Sequence, residues 1–494
     1  MRRYSLNEVE NILFHLNYRW KLQSLCLWKG LRSPFRPEKL YSDFENFLNL
    51  DTYDALLESP FDTKEGKKLR YNFLEHYLQR ELMPYEAELR TWMKGAAAHV
   101  EGQKIYLREI IPFCQKKSTR EQRNMLQKET GALCKFLRPF ALSFWEELID
   151  TLTQTFGFEG YIEYCKDKKG IDYDIYYDQV KSILDETRDL YLSMMEQWVR
   201  RRFGAQLKDL NRFDAIAILS LSEFDHLLPP AALEDLKGFF RTWTIDLDRS
   251  PFITIELDST PEKNPQAICF VLSVPDEIYV IIKPQGGWID LESLGHELGH
   301  GLFSANISEH LPYSSREISM GNALSEAFAF LIQNITMSVP FMVRYLGVDE
   351  KIALMLHRYK VLRDLAVFRR YAARFLSEYE MFRSGDLGSG HRYAELMAYH
   401  TGFYYQPEAC LFDLTPEFYS LDYVLAWMAE ATMEHHLEER FGTEWLYSQD
   451  AVQVLREWWS NGYQNELGGF MQQNGLGPLS YKHILGIWKQ TLKD

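Results

Sequence analysis

The pattern of apolar and polar positions in the first half of the chain predicts one helix after another. Between about residue 7 and residue 240, leucine and aromatic residues recur every three or four positions, with charged residues between them. One run that shows this spacing consists of Val180, Ile183, Leu184, Thr187 and Tyr191. This period buries one face of a helix and leaves the other in water, so the first half is predicted to be a body of packed helices.

The pattern changes near Ile245, where shorter apolar runs predict strands. Residues 252–257 partly alternate apolar and polar side chains, as a half-buried strand does. Two further strands are predicted at 267–272 and 278–282, joined through Pro275-Asp276 as a hairpin. This small sheet leads directly into a new helical pattern, which continues to the end of the chain. A strand placed there could hold an extended peptide by its backbone groups, and we expect 278–282 to do so.

The first helix after the sheet carries the pattern His296-Glu297-Leu298-Gly299-His300. Leucines at helical spacing predict the helix, with Asp290 as its N-cap; they are Leu291, Leu294, Leu298 and Leu302. Residues four apart on a helix lie one above the other, so both imidazoles can bind one metal ion. Glu297 would stand on the solvent side of that ion, where a general base is needed.

A catalytic zinc site needs three protein ligands and one open position. The third ligand is predicted at Glu326, the only acidic residue in the apolar run 323–335. A carboxylate among such residues needs a partner, and a metal ion would provide one. Glu309 and Glu317, in the polar loop between the two helices, are weaker candidates.

Three glycines interrupt the predicted metal helix: Gly295, Gly299 and Gly301. Each costs about 1 kcal/mol relative to alanine in a helix interior. Their presence predicts that another backbone, or a substrate, approaches this helix closely.

Composition excludes several classes of function. The chain has 494 residues and a formal net charge of -15, which argues against nucleic acid and anionic membrane surfaces as partners. Its start has no apolar core of signal-peptide length, and no stretch is long and uncharged enough to span a membrane. The six cysteines are scattered, without a Cys-x-x-Cys pair. The expected location is the cytoplasm, and the sequence does not define an oligomeric state.

One later segment, residues 414–427, contains Tyr419 and Tyr423, which share a face if the segment is helical. By composition alone, aromatic residues at this spacing are more typical of a core than of a site.

Together, the segment from Tyr279 to Glu326 and the Tyr-rich segment 415–423 resemble the zinc oligopeptidases of the thimet oligopeptidase and oligoendopeptidase F family, which are gluzincins. The resemblance implies one Zn²⁺ per chain held by the two histidines and the downstream glutamate. It also implies that a tyrosine contacts the substrate carbonyl, and of the two it favours Tyr423 over Tyr419. The chain departs from the family in having Leu411-Phe412-Asp413 where a histidine is usual, and Ser420 at a tyrosine position.

The resemblance also implies the architecture. We expect a mainly α, zincin-like fold: a large helical body with a deep cleft and a small sheet beside the metal helix. Residues 1–245 are predicted to wall the cleft, and residues 246–494 to form the catalytic region. Short unstructured peptides are the implied substrates, hydrolysed by metal-activated water.

Two alternatives remain open. A metallocarboxypeptidase on a similar helical fold would need a cation for the substrate's C-terminal carboxylate, and the candidates are Arg316, Arg369 and Arg370. A non-catalytic protein stabilised by zinc would be expected to close its site with four ligands, often cysteines, and only Cys269 lies near.

Overall fold

The structure of the chain is a computed structural model, which describes residues 4–31, 37–116 and 118–493. Residues 1–3, on which the expectation of no signal peptide partly rests, lie outside these ranges. Within the described ranges, no helix combines the length and the apolar character needed to cross a membrane.

The predicted run of helices in the first half is confirmed. Its helices are α1 (Leu6–Trp28), α2 (Pro37–Ser42), α3 (Leu50–Ala55), α4 (Lys64–Gly95), α5 (Ile110–Lys116), α6 (Arg120–Asp150), α7 (Tyr161–Lys169), α8 (Tyr173–Phe203), α9 (Arg212–Leu219) and α10 (Ala232–Thr242). The sequence pattern missed one hairpin, formed by β1 (Ala97–Val100) and β2 (Gln103–Tyr106). Glu101 and Gly102 form its turn, both with positive φ. Strands this short carry too few alternating positions to stand out among helices.

The second half begins with three strands and returns to helices. The strands are β3 (Ile253–Glu256), β4 (Ile268–Ser273) and β5 (Glu277–Ile281). The helices are α11 (Trp288–Ala305), α12 (Tyr313–Arg316), α13 (Ala323–Thr336), α14 (Val339–Arg344), α15 (Glu350–Ser384), α16 (His391–Thr401), α17 (Cys410–Asp413), α18 (Tyr419–Phe441), α19 (Gln449–Ser460), α20 (Leu467–Gln473) and α21 (Lys482–Lys493). The chain is therefore mainly helical, as predicted.

The three-stranded sheet has the order β3-β5-β4, with β3 parallel and β4 antiparallel to β5. The predicted hairpin through Pro275-Asp276 is confirmed as the β4–β5 pair. The prediction that residues 278–282 hold a peptide backbone is wrong, because β5 is the central strand and both of its edges are already paired. Among the described residues of this sheet, the strands with an unpaired edge are β3 and β4.

Packing around α11 places the predicted site residues. This helix lies between the three-stranded sheet on one side and α13 on the other, and α18 packs against α13. Because α13 is enclosed in this way, nearly all of its side chains are buried, which explains its apolar sequence. The main core is one continuous cluster of buried side chains that extends from Tyr71 in α4 to Leu492 in α21.

Candidate metal centre

The helix α11 begins earlier than its sequence pattern indicated. It starts at Trp288, with Gly287 as the preceding residue, so the prediction of Asp290 as N-cap is wrong. The Asp290 carboxylate lies in the first turn and accepts hydrogen bonds from the backbone N–H groups of Gln285 and Gly286. It therefore fixes the loop that enters the helix.

Close packing of α11 against α13 explains two of the three glycines. A Cβ added at Gly295 would lie 2.6 Å from Thr336 Cγ2, and one at Gly299 only 2.5 Å from Ala329 Cα. The prediction that another backbone approaches α11 is confirmed at Gly299, and at Gly295 the added Cβ would also lie 3.2 Å from Gln333 Cα. Gly301 differs, since its added Cβ would lie 3.4 Å from Val280 Cγ2, an ordinary van der Waals contact.

The helix pair brings the three predicted ligands together. His296, His300 and Glu326 each offer one ligand atom, and these atoms lie within 4.8 Å of one another. His296 Nε2 is 3.3 Å from Glu326 Oε2, and His300 Nε2 is 3.7 Å from Glu326 Oε1. Among the described residues, this is the one group of three or more metal-binding side chains so arranged.

Two polar residues orient the imidazoles. His296 Nδ1 lies 2.9 Å from Gln333 Oε1, and His300 Nδ1 lies 2.7 Å from Ser325 Oγ. When Nδ1–H donates to an oxygen, the lone pair of Nε2 is left for a metal ion. Both Nε2 atoms point toward Glu326, so the rings are held in the orientation that ligation requires.

The donor set fits zinc. Two imidazole nitrogens and one carboxylate are ligands typical of catalytic zinc, which keeps a fourth position open. Glu326 Oε2 is buried and makes no hydrogen bond within the described part of the chain. A buried carboxylate oxygen without a partner is costly, and a cation between these three side chains would compensate it.

Glu297 lies beside the ligand cluster without belonging to it. Burial raises the pKa of Glu297 to about 7, an effect that His296 opposes and Glu326 reinforces. A carboxylate that gains and loses a proton near neutral pH suits general acid–base chemistry.

Both predicted tyrosines lie at the cluster. The Tyr419 hydroxyl donates to Glu326 Oε1 at 2.7 Å. The Tyr423 ring lies 5.5 Å from that of Tyr419 and 6.5 Å from that of His296, between ring centroids. It stacks on Tyr371 of α15 at 4.2 Å. The two tyrosines share a helix face as predicted, and that face is turned toward the candidate ligands.

The sequence analysis missed Gln333, Ser325 and Tyr371. Gln333 interrupts the apolar run 323–335 two turns after Glu326, and a polar side chain at that spacing was a usable signal. Ser325 directly precedes Glu326 and gave no signal of its own. Tyr371 lies far along the chain in a long helix, so only the packing of α15 reveals it.

The weaker candidates lie elsewhere. Glu317 Oε1 accepts a hydrogen bond from the backbone of Val274, and Glu309 is exposed. Arg369 is fully buried and donates to the carbonyl groups of His400 and Leu184, so it is not available to a substrate.

The two remaining arginines also have partners. Arg370 pairs with Asp413, whereas Arg316 donates to the carbonyl of Glu309. A substrate carboxylate would have to displace Asp413 from Arg370, whereas Arg316 retains N–H groups that this contact does not use.

We compared the chain with protein-family models, with curated proteins and with solved structures. No family model matches the chain, and none of the curated proteins searched matches it. Solved structures do match. Pz peptidase A, solved with an inhibitor, gives a TM-score of 0.59 at 15% identity, over 98% of this chain and 86% of that one. A protein assigned as oligoendopeptidase F gives 0.63 at 15% identity, over 92% and 87%.

A third match is to metallocarboxypeptidase 1 of Trypanosoma cruzi, with a TM-score of 0.57 at 14% identity, over 99% of both chains. At such identities the likeness concerns the fold. The chain has the zincin-like fold of these gluzincin peptidases, as the resemblance implied. Its cluster of His296, His300 and Glu326 fits their His-Glu-x-x-His pattern with a downstream glutamate.

Proposed function

We propose that the chain is a zinc-dependent peptidase that hydrolyses short unstructured peptides. The observation that carries the proposal is the convergence of His296, His300 and Glu326. The Nδ1 atom of each imidazole has a hydrogen-bond partner, which leaves both Nε2 atoms directed toward Glu326. A zinc-stabilised protein without activity would be expected to close its site with a fourth ligand. The described residues contain no fourth member of this cluster.

Each residue has a proposed role. His296, His300 and Glu326 hold the metal. Zinc, when bound, supplies the positive charge that activates water and polarises a carbonyl oxygen. Glu297 accepts the proton of the attacking water and passes it to the leaving amine.

The tyrosines have separate proposed roles. The Tyr419 hydroxyl donates to Glu326. Because the Tyr419 hydroxyl proton is already engaged, Tyr423 is the proposed donor to the oxyanion that develops on the substrate carbonyl.

For substrate binding, we propose that residues 1–245 wall a deep cleft above the metal site. A flexible peptide can enter such a cleft, whereas a folded protein would first have to unfold, at a cost of about 5–15 kcal/mol. The edge strand β4 is now the proposed backbone-binding strand, in place of 278–282. Its edge is unpaired among the described residues, and the Cys269 backbone lies near the Glu297 carboxylate, whose pKa it lowers.

A carboxypeptidase is the second candidate, favoured by the match over the whole length of the Trypanosoma cruzi metallocarboxypeptidase. The two activities differ in what they require of the substrate. A carboxypeptidase needs a free C-terminal carboxylate, whereas an endo-acting enzyme tolerates an amide there.

The test uses quenched fluorescent peptides with free and amidated C-termini, and zinc-loaded protein. Internal cleavage of both peptides is expected, and release of single C-terminal residues from the free peptide alone would favour the carboxypeptidase. Glu297→Gln should retain zinc and the fold but lose about 10²–10⁴-fold in kcat. Glu309→Gln, which removes an exposed carboxylate, is the matched control. A Glu297→Gln variant as active as that control would refute the general-base role.

A further inference from the structure

The segment that leads into α18 has an unfavourable backbone. Glu417 and Phe418 have φ values of 57° and 50°, in the left-handed region, although neither is glycine. Residues with side chains stay in this region only when their surroundings force them to. The next residue is Tyr419, whose hydroxyl donates to Glu326 Oε1. The left-handed turn therefore sets the direction in which Tyr419 approaches the candidate ligand.

The polar contacts that hold Glu417 in this turn come from a single helix, α7. The backbone N–H of Glu417 donates to the Tyr161 hydroxyl at 2.6 Å, and Lys169 Nζ donates to the Glu417 carbonyl. The Tyr164 hydroxyl donates to Glu417 Oε1 at 2.8 Å, and Lys168 Nζ donates to Oε2 at 2.6 Å. Both backbone polar groups and both carboxylate oxygens of Glu417 are thus bound by α7.

The same helix also reaches the start of α13. Lys169 Nζ donates to Asp422 Oδ2 at 2.7 Å, and this oxygen accepts a second hydrogen bond from the backbone N–H of Asn322 at 2.9 Å. Asn322 directly precedes α13, which carries Glu326. One lysine of the first half is therefore tied to both helices that meet at Glu326.

These charges are buried, except that of Glu417, whose side chain is 24% exposed. The side chains of Lys168 and Lys169 are 3% and 2% exposed, and Asp422 is 1% exposed. Buried ion pairs contribute little net stability but tolerate few alternative geometries, because an unpaired buried charge is strongly unfavourable. A cluster of this kind is suited to fixing the position of the elements that it joins.

We infer that Lys168 and Lys169 are positioning residues, which hold Glu417 in its left-handed turn and thereby direct the Tyr419 hydroxyl onto Glu326. The inference rests on the proposed zinc site and extends it. It gives residues of the first half of the chain a part in a centre whose ligands all come from the second half. A purely structural role for the cluster would instead affect stability without acting through Tyr419.

A double-mutant cycle separates the two roles. The variants are Glu417→Gln, Tyr419→Phe and the two combined, with Glu439→Gln as control, which removes an exposed carboxylate from the same helix. Zinc affinity is measured by competition with a chromophoric chelator, so that the readout does not depend on activity. Thermal melting of each metal-free variant confirms that it is folded.

The expected results follow from loss of the hydrogen bond to Glu326. Tyr419→Phe should weaken zinc binding by about 10–100-fold, the usual effect of removing a partner of a metal ligand. Glu417→Gln should produce much of the same loss, and the double variant should be no weaker than Tyr419→Phe. In the zinc-loaded enzyme, the same variants should lower kcat while KM changes little.

Three results would overturn the inference: zinc affinity of Glu417→Gln equal to the control, losses that multiply in the double variant, or no effect of Tyr419→Phe on zinc. If Glu417→Gln does not fold, Lys168→Met combined with Glu417→Gln removes both charges of the pair and replaces it in the cycle. Glu75, the second carboxylate bound by Lys168, is 32% exposed and can be solvated in that variant. If zinc-loaded wild type cleaves no peptide, the proposed function fails, and the zinc measurements still decide whether α7 positions Tyr419.

Discussion

The two sides of the candidate metal centre are built in different ways. On the ligand side, α11 and α13 have regular helical backbones and approach each other through Gly295 and Gly299, where a Cβ would collide with the opposite helix. On the tyrosine side, α18 is preceded by the left-handed pair Glu417–Phe418, which is held by buried lysines of α7.

The difference concerns how each side is specified. Helical periodicity aligns His296 with His300, and the absence of side chains at two positions lets Glu326 come near them. The tyrosines depend on contacts from helices distant in sequence, namely α7 and α15. We therefore expect the ligand side to be sensitive to added volume, and the tyrosine side to be sensitive to lost polar or ring contacts.

The largest effect is expected from removing the ligand that joins the two sides. Glu326→Ala should weaken zinc binding by more than the about 10–100-fold that follows loss of an outer partner. With zinc in excess, its melting temperature should fall below that of wild type, because metal binding and folding are linked. The control is the metal-free pair, in which the difference in melting temperature between variant and wild type should be smaller than with zinc in excess. Unchanged zinc stoichiometry after dialysis would move the third ligand elsewhere.

Added volume should break the ligand side. Gly299→Ala places a Cβ 2.5 Å from Ala329 Cα, and we expect it to cost about 1–3 kcal/mol in the free energy of unfolding. Gly301→Ala is the matched control on the same helix. It should be neutral or stabilising by up to about 1 kcal/mol, because its Cβ finds space and alanine favours the helix. Chemical denaturation measures both, and equal effects would mean that close packing does not explain Gly299.

Loss of one orienting contact should be milder than loss of a ligand. Gln333→Ala removes the acceptor at His296 Nδ1 and should weaken zinc binding by about 10–100-fold. Gln333→Glu keeps an acceptor there and should retain more of the affinity than alanine does. The same chelator competition compares them, and equal losses would show that Gln333 does not act through its hydrogen bond.

The smallest effect is expected from losing the ring that supports Tyr423. Tyr371→Leu removes the ring on which Tyr423 stacks, an interaction worth about 0.5–1.5 kcal/mol, so kcat should fall by about 2–10-fold. Tyr371→Phe keeps the ring and should lose less. Steady-state kinetics with one peptide distinguishes them. If phenylalanine is as damaging as leucine, the Tyr371 hydroxyl rather than its ring is what matters.

The sequence by itself determined the ligand side of this centre and the helical class of the fold. His296, Glu297 and His300 belong to one helix, so local periodicity was enough to predict their common face. Glu326 was recognisable because a lone carboxylate in an apolar run needs a partner. The glycines likewise predicted close packing, because the free-energy cost of glycine within a helix has to be offset by another interaction.

Only the tertiary structure decided which strand has a free edge and how the tyrosines are held. The order β3-β5-β4 places the last strand of the sequence in the middle, and alternation within a strand contains no information about its neighbours. The hydrogen bonds from Lys168 and Lys169 to Glu417 join residues about 250 positions apart. Most charged side chains of a protein lie at its surface, so a sequence does not show which of them will be buried. The ion-pair partners of the buried ones are defined only by the tertiary structure.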